Sequence, residues 1–216
     1  MVVSRANTLS DAQFADLLSK VDELSVDAEK DKLVFLLSFT AGLRAQEIAG
    51  LEWDKHILDA TGGFRYQEYH VRGSNGRVKT EKFPVLFISS DIGKYGRERT
   101  LRMHPKLYAV LKEALKSRSG KYIIQSRKPG ADQDVKSRAH ALVMYIKRFY
   151  AKIGYMNCSS HSGRRTFITN AARKAPLVGC SLVDIQVMAG HKSLETTQGY
   201  IDTSQNSADL VAILYQ

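Results

Sequence analysis

The apolar positions of the chain follow a helical rhythm towards both ends and an alternating one between them. "TLSDAQFADLLSKVDEL" sets Phe14, Leu17, Leu18, Val21 and Leu24 on one helical stripe behind hydroxyl capping residues. "DKLVFLLSFTAGL" is apolar on most sides, which predicts a buried helix ending near Gly42. "LRAQEIAGLEW" reads as a short helix running into a turn. From about 56 to 103 the period changes to two: "FRYQEYHV" alternates, "GSNG" is a turn and "FPVLFIS" is a β-rich run. Gly93 and Gly96 then bracket a tight turn in "DIGKYGRERTLRM" before another strand.

Helical spacing returns at Pro105, which opens the amphipathic segment "PKLYAVLKEAL". "KYII" reads as a short strand, "SRKPGADQD" as a loop and "AHALVMYIKRFYAKIG" as a second basic amphipathic helix. "SSHSGRRTFITNAARKA" begins with serine caps and is stopped by Pro176, and "SLVDIQVMAG", "SLETTQGYI" and "SADLVAILY" predict three further short helices. The pattern contains no repeats and no low-complexity linker. It predicts a mainly α domain with a small antiparallel β-sheet near its middle, an α+β fold.

Composition narrows the class. At 216 residues, 44% hydrophobic and 25% charged, the chain has the make-up of a soluble globular protein. Apolar runs such as "LVFLLSFTAGL" fall short of the ~20 residues that cross a bilayer, and "MVVSRANTLSDAQF" turns polar too early for a signal peptide. Cys158 and Cys180 are too few for a disulfide scaffold and lack paired metal spacing; Cys158 with His161 makes only two ligand types. A reduced, intracellular protein with no metal, no cofactor and no membrane partner is expected.

Charge changes the picture more. Residues 94–176 hold 20 Lys/Arg against 4 Asp/Glu, whereas residues 1–93 hold 11 against 14 and residues 177–216 hold 1 against 4. The whole excess behind the net charge of +10 lies in one block. Mixed signs would serve solubility better, so a block of one sign points to a polyanion, with double-stranded DNA the leading partner.

Candidate chemistry is ordinary residue by residue. "HSGRR" sets His161 and Arg164 three apart on one helix face, and "AGLRAQE" sets Arg44 three before Glu47, the spacing of a plain intrahelical ion pair. Gly190-His191 fits a helix C-terminus, Tyr200 fits a half-buried tyrosine, and Lys79, Lys82 and Lys94 all lie near predicted turns. Trp53 reads as a core anchor. In order, however, "TAGLRAQEIAGLEW", "GKYGRERTLRMHP", "HSGRRTFITNAA" and "MAGHKSLETTQGYI" form a pattern that resembles the tyrosine recombinase (phage integrase) family over roughly residues 8–203.

The resemblance implies the catalytic-domain fold of that family and a site made of Arg44, Lys94, His161, Arg164, His191 and Tyr200, supported by Glu47. Such residue types suit phosphodiester cleavage. Two arginine forks and two imidazoles meet the charge that builds on the non-bridging oxygens. A tyrosine, with its intrinsic pKa near 10, is both an easier nucleophile and a better leaving group than serine. Lys94, preferred over Lys79 and Lys82 because an arginine-bearing strand and a proline-opened helix follow it, matches the family's general acid.

The family further implies a 3′-phosphotyrosyl intermediate without metal or ATP, and a cyclic tetramer on two DNA sites. On this reading residues 1–7 are a lead-in, 8–203 the catalytic domain and 204–216 a C-terminal tail helix that either packs at home or is exchanged between protomers. The enzyme is placed in the cytoplasm of a bacterial host, associated with the nucleoid. Two departures stand out. The core-binding domain that usually precedes the catalytic domain is missing from this stretch, and Tyr200 is followed by "IDTS" rather than a hydroxyl–histidine pair. A type IB topoisomerase shares the chemistry, and a non-catalytic DNA-binding regulator using helices 134–153 and 161–174 is the rival from another class.

Overall fold

A computed structural model describes residues 6–73, 76–125 and 134–200. Helix α1 (Asp11–Leu24) starts at Ser10, whose hydroxyl accepts from Gln13 N–H while the Gln13 side chain accepts from Ser10 N–H. This reciprocal cap satisfies two amides that the helix itself cannot. Leu17 and Val21 of the predicted stripe are buried and Phe14 stacks on Phe39. Helix α2 (Ala28–Thr40) is buried from Leu33 to Phe39, as an all-round apolar helix should be. It ends where Gly42 takes φ +64°, the left-handed conformation that glycine adopts without a Cβ penalty. The core centres on α2, with Trp53 buried in it.

Helix α3 (Ala45–Gly50) leads into one π-helical turn at Trp53–Ile57. The sheet follows, with strands β1 (Tyr66–Arg72), β2 (Val78–Ile88) and β3 (Arg99–Arg102) in the antiparallel order β1-β2-β3. Two strand expectations change. β2 begins at Val78, ahead of the apolar "FPVLFIS" run, so Lys79 and Lys82 lie within the strand, opposite Val71 and Glu68, with Lys79 close to the turn that precedes it. Main-chain pairing with β1 holds this exposed polar half, and main-chain pairing leaves no trace in apolar periodicity. "KYII" forms only an isolated bridge between Tyr122 and Glu52. Its amide at Ile123 bonds Leu51 O, and its carbonyl at Lys121 accepts from Trp53 N–H.

Helices α4 (Pro105–Lys116), α5 (Val135–Lys152), α6 (Ser162–Lys174), α7 (Leu182–Ala189) and α8 (Leu194–Gln198) complete the described chain. The entry to α6 differs from the expected serine cap. His161 itself is the N-cap residue, in helical conformation, and the serines brace the turn before it: Ser159 Oγ accepts from His161 N–H and Ser162 Oγ from Ser159 N–H. Pro176 sits inside a 3₁₀ turn that follows α6. A second, smaller apolar cluster of Ile168, Ala175, Ile185 and Ala189 joins α6 to α7, with Tyr200 packed against it. The predicted tail helix at 204–216 and most of the predicted loop at 126–134 lie outside the described residues. Among the described residues, no helix is long and apolar enough to cross a membrane.

Candidate active site

Arg164 organises the site. Its guanidinium is fully buried, donating from Nη1 to Gly42 O and from Nη2 to Ala189 O, both at 2.6 Å. Ala189 O ends α7, where the helix dipole leaves partial negative charge and an unpaired acceptor, and Gly42 O lies just past the C-cap of α2. One planar fork from α6 therefore ties two helix ends together. The ends are close because both turn on glycines: Gly42 lies so near Phe167 of α6 that a Cβ would stand 2.3 Å from its ring, and Gly190 takes φ +62° directly after α7. Burial, then the Arg44 charge, lower the Arg164 pKa to about 10, which leaves it cationic at neutral pH.

Arg44 precedes α3 and Glu47 lies one turn into it. Glu47 accepts from Arg44 N–H through Oε2 at 2.8 Å and from Arg44 Nη1 through Oε1 at 3.2 Å, so the ion pair expected from spacing is present, between the N-cap residue and the first turn of α3. It is also part of something larger, because Arg99 Nη1 of β3 donates to the same Oε1 at 3.0 Å. Burial of Glu47 opposes its ionisation, yet Arg99 and Arg44 more than offset that and hold its pKa below 4.5. The carboxylate thus counters two of the three buried or half-buried arginines and leaves the pocket cationic.

His191 follows Gly190 and is 2% exposed. Its Nδ1 lies 2.9 Å from Thr197 Oγ1 of α8, and its carbonyl accepts from Arg97 Nη1 of the β2–β3 connection at 3.1 Å. Burial first, then Arg164, Arg44 and Arg99, depress its pKa to about 4, so the imidazole is neutral at physiological pH. His161 keeps an exposed edge; burial of the rest, then the charges of Arg164, Arg44 and Lys94, lower its pKa as well. Tyr200 stacks on His191 with centroids 5.4 Å apart and planes 23° from parallel. Thr169 Oγ1 of α6 donates to its carbonyl at 3.2 Å. The half-buried Tyr200 hydroxyl makes no hydrogen bond to any described residue, unlike a tyrosine kept for a structural bond.

Lys94 is exposed on the short 3₁₀ turn Lys94–Gly96 between β2 and β3, its ammonium 4.9 Å from the centroid of the Tyr95 ring. Of the seven residues singled out from sequence, Arg44, Glu47, His161, Arg164, His191 and Tyr200 are gathered by contact or mutual field, and Lys94 reaches the group through its field on His161. Three neighbours were not singled out as site residues from the sequence: Thr197, Arg97 and Arg99. Arg99 carried a signal, since it alternates in phase with the apolar Leu101 and Met103, and all three are buried. Among the described residues, no group of three or more His, Cys, Asp or Glu side chains is arranged to hold a metal ion.

Comparison with known proteins gives the same fold. The sequence model of the Phage integrase family matches residues 7–207. The tyrosine recombinase XerA of Pyrococcus horikoshii is 24% identical over 200 residues, covering 91% of this chain and 57% of its own. The tyrosine recombinase XerD of Lacticaseibacillus casei is 24% identical over 215 residues, covering 97% and 62%. This chain therefore spans a little over half the length of these curated relatives. Among solved structures, the Tn1549 transposon integrase in complex with transposon right end DNA superposes with a TM-score of 0.66 at 17% identity, over 99% of this chain and 67% of that one.

Proposed function

The chain belongs to the phage integrase family, and from that premise we propose that it is the catalytic domain of a site-specific DNA recombinase that cuts and rejoins one strand at a time. Tyr200 attacks the scissile phosphorus and becomes 3′-phosphotyrosyl, releasing a 5′-hydroxyl. Reversal by the 5′-hydroxyl of the partner strand exchanges the strands and frees the tyrosine. One bond is conserved at each step, so no ATP is consumed.

The observation that carries this reading is the stacking of Tyr200 on a neutral His191 inside a cluster of three arginines and one carboxylate. Arg44 and Arg164 supply fixed positive charge to the five-coordinate phosphorus, worth most where water is excluded. His191 donates from Nε2, which requires Nδ1 to accept from Thr197 Oγ1. His161, lying in the field of Arg164, Arg44 and Lys94, is the second imidazole of the proposed site. Lys94, exposed on its turn, protonates the departing 5′-oxygen. The block of positive charge over 94–176 supports a DNA duplex as substrate, and the Tn1549 integrase, solved with transposon DNA, has this fold. The reading includes assembly into a tetramer on two sites, in the cytoplasm of a bacterial host.

The test uses a nicked duplex carrying the sequence that the protein selects from a random DNA pool, arranged so that cleavage releases a short fragment and traps the adduct. Wild type is expected to accumulate a covalent protein–DNA species and Tyr200→Phe none. An adduct formed by Tyr200→Phe at the wild-type rate removes Tyr200 as nucleophile.

A further inference from the structure

We infer that Arg99 is a positioning residue for this reaction: from beneath Gly190 it shares Glu47 with Arg44 and thereby sets both the Arg44 and the His191 walls of the phosphate site. The inference rests on the function proposed above. Three observations carry it. The Arg99 side chain is 3% exposed and its Nη1 meets the same Glu47 oxygen that Arg44 uses, at 3.0 and 3.2 Å. Its guanidinium lies against the backbone before His191, so that a Cβ on Gly190 would stand 2.9 Å from Nη1 and 3.3 Å from Cζ. Its Nε and Nη2 have no hydrogen-bond partner among the described residues although both are buried.

The third point separates this reading from a packing role. Burying a guanidinium with two nitrogens that find no partner among the described residues is costly, and an apolar side chain of similar length would fill the space at less expense in stability. Leu101 and Met103, on the same face of the chain, show that the surroundings accept such residues. What an apolar residue cannot do is compete for Glu47. With Arg99 in place the carboxylate divides its charge between two guanidinium groups, and Arg44 is bound through one nitrogen, which leaves the rest of its fork for an anion. Without Arg99 the buried carboxylate has Arg44 alone as its counter-ion and draws it inward, away from the phosphate.

The second wall is coupled through the strand itself. Arg97, two residues earlier, donates to His191 O, so the Gly190–His191 segment is met by Arg97 of the connection that bears Lys94 and by Arg99 at the start of β3. The proposed acid, the Arg44 fork and His191 are therefore all referred to one strand.

The experiment measures single-turnover formation of the covalent adduct by wild type, Arg99→Met and Arg99→Gln, with thermal melting to establish that each is folded. Each is tested on the natural phosphodiester and on a duplex with a neutral methylphosphonate at the scissile position. On the natural substrate both variants are expected to lose about 10–100-fold, as residues that orient direct ligands typically do. On methylphosphonate, where less charge needs Arg44, the deficit should shrink to within about threefold of wild type, taking one lost charge contact as the dominant effect. Arg99→Gln keeps a donor towards Glu47 and serves if Arg99→Met fails to fold. The inference is overturned if a folded variant matches wild type on the natural substrate, or if its deficit is equal on both substrates. Failure of wild type to form any Tyr200-dependent adduct would count against the proposed function instead.

Discussion

The imidazole of His191 and the phenol ring of Tyr200 lie stacked, 5.4 Å apart, although nine positions and a helix separate them. Gly190 turns the chain so that His191 folds back under α8, Thr197 of α8 holds its ring, and Thr169 of α6 holds the tyrosine backbone. On the proposed function, the pair combines a donor for the phosphate with the group that attacks it. His191→Phe keeps a ring to stack on and removes the N–H. Adduct formation should fall about 10²–10³-fold, the usual loss for one donor to a transition-state oxygen. Wild-type rates in this variant would reduce His191 to a packing role.

Lys94 is assigned the proton for the leaving 5′-oxygen. A bridging sulfur at that position leaves as a thiolate, whose conjugate acid has a pKa near 8.5, and needs no proton. Lys94→Ala is expected to cleave the ordinary duplex about 10²–10⁴-fold more slowly. It should cleave the 5′-thio duplex at close to the wild-type rate. An equal loss on both substrates assigns Lys94 to binding, and no loss on either moves the acid elsewhere.

Arg164 has a structural duty beside the chemical one proposed for it. Lysine keeps the charge but has a single ammonium in place of a planar fork, so Arg164→Lys cannot hold Gly42 O and Ala189 O together in the present geometry. One buried carbonyl is left unpaired, at a cost of about 1–3 kcal/mol in chemical denaturation. Cleavage should fall further than the loss of folded protein accounts for. A variant that is as stable as wild type would show that the two helix ends do not depend on this clamp.

Stability should also depend on pH in a window set by His191. Its folded pKa is about 4 and its ordinary value 6.5, so between those values the unfolded chain binds a proton that the native protein excludes. The contribution is complete above pH 6.5 and is lost as pH falls towards 4. Urea unfolding at pH 7.5 and 5.0 should differ by about 2 kcal/mol from this group. His161, lowered for the same reasons, adds in the same direction. Glu47 has the carboxylate sign, with a pKa depressed below 4.5, and its loss comes at lower pH. His191→Gln should flatten the slope between 7.5 and 5.0, and an unchanged slope would place the titrating group elsewhere.

Much of the architecture was legible because its physics is local. Helical spacing, glycine stops and the proline at 105 marked α1, α2, α4, α6 and α7, and the period-two stretch located the sheet. Where pairing alone makes the structure, the signal failed: the polar half of β2 has no apolar alternation, and "KYII" gains only one bridge. The candidate site was legible only through the order of its motifs, which resembles the tyrosine recombinase family; residue by residue each group had an ordinary structural reading.

The sequence by itself determined the helical and strand periods, the cationic block and the inventory of groups suited to a phosphate, because each is written in neighbouring positions or in composition. Only the tertiary structure decided that Glu47 serves two arginines, that Arg99 lies beneath Gly190 and that Arg164 joins the ends of α2 and α7. Those contacts join residues 25 to 122 positions apart. Such pairings are selected by how helices and strands stack around a shared core, and no window along the chain contains both partners.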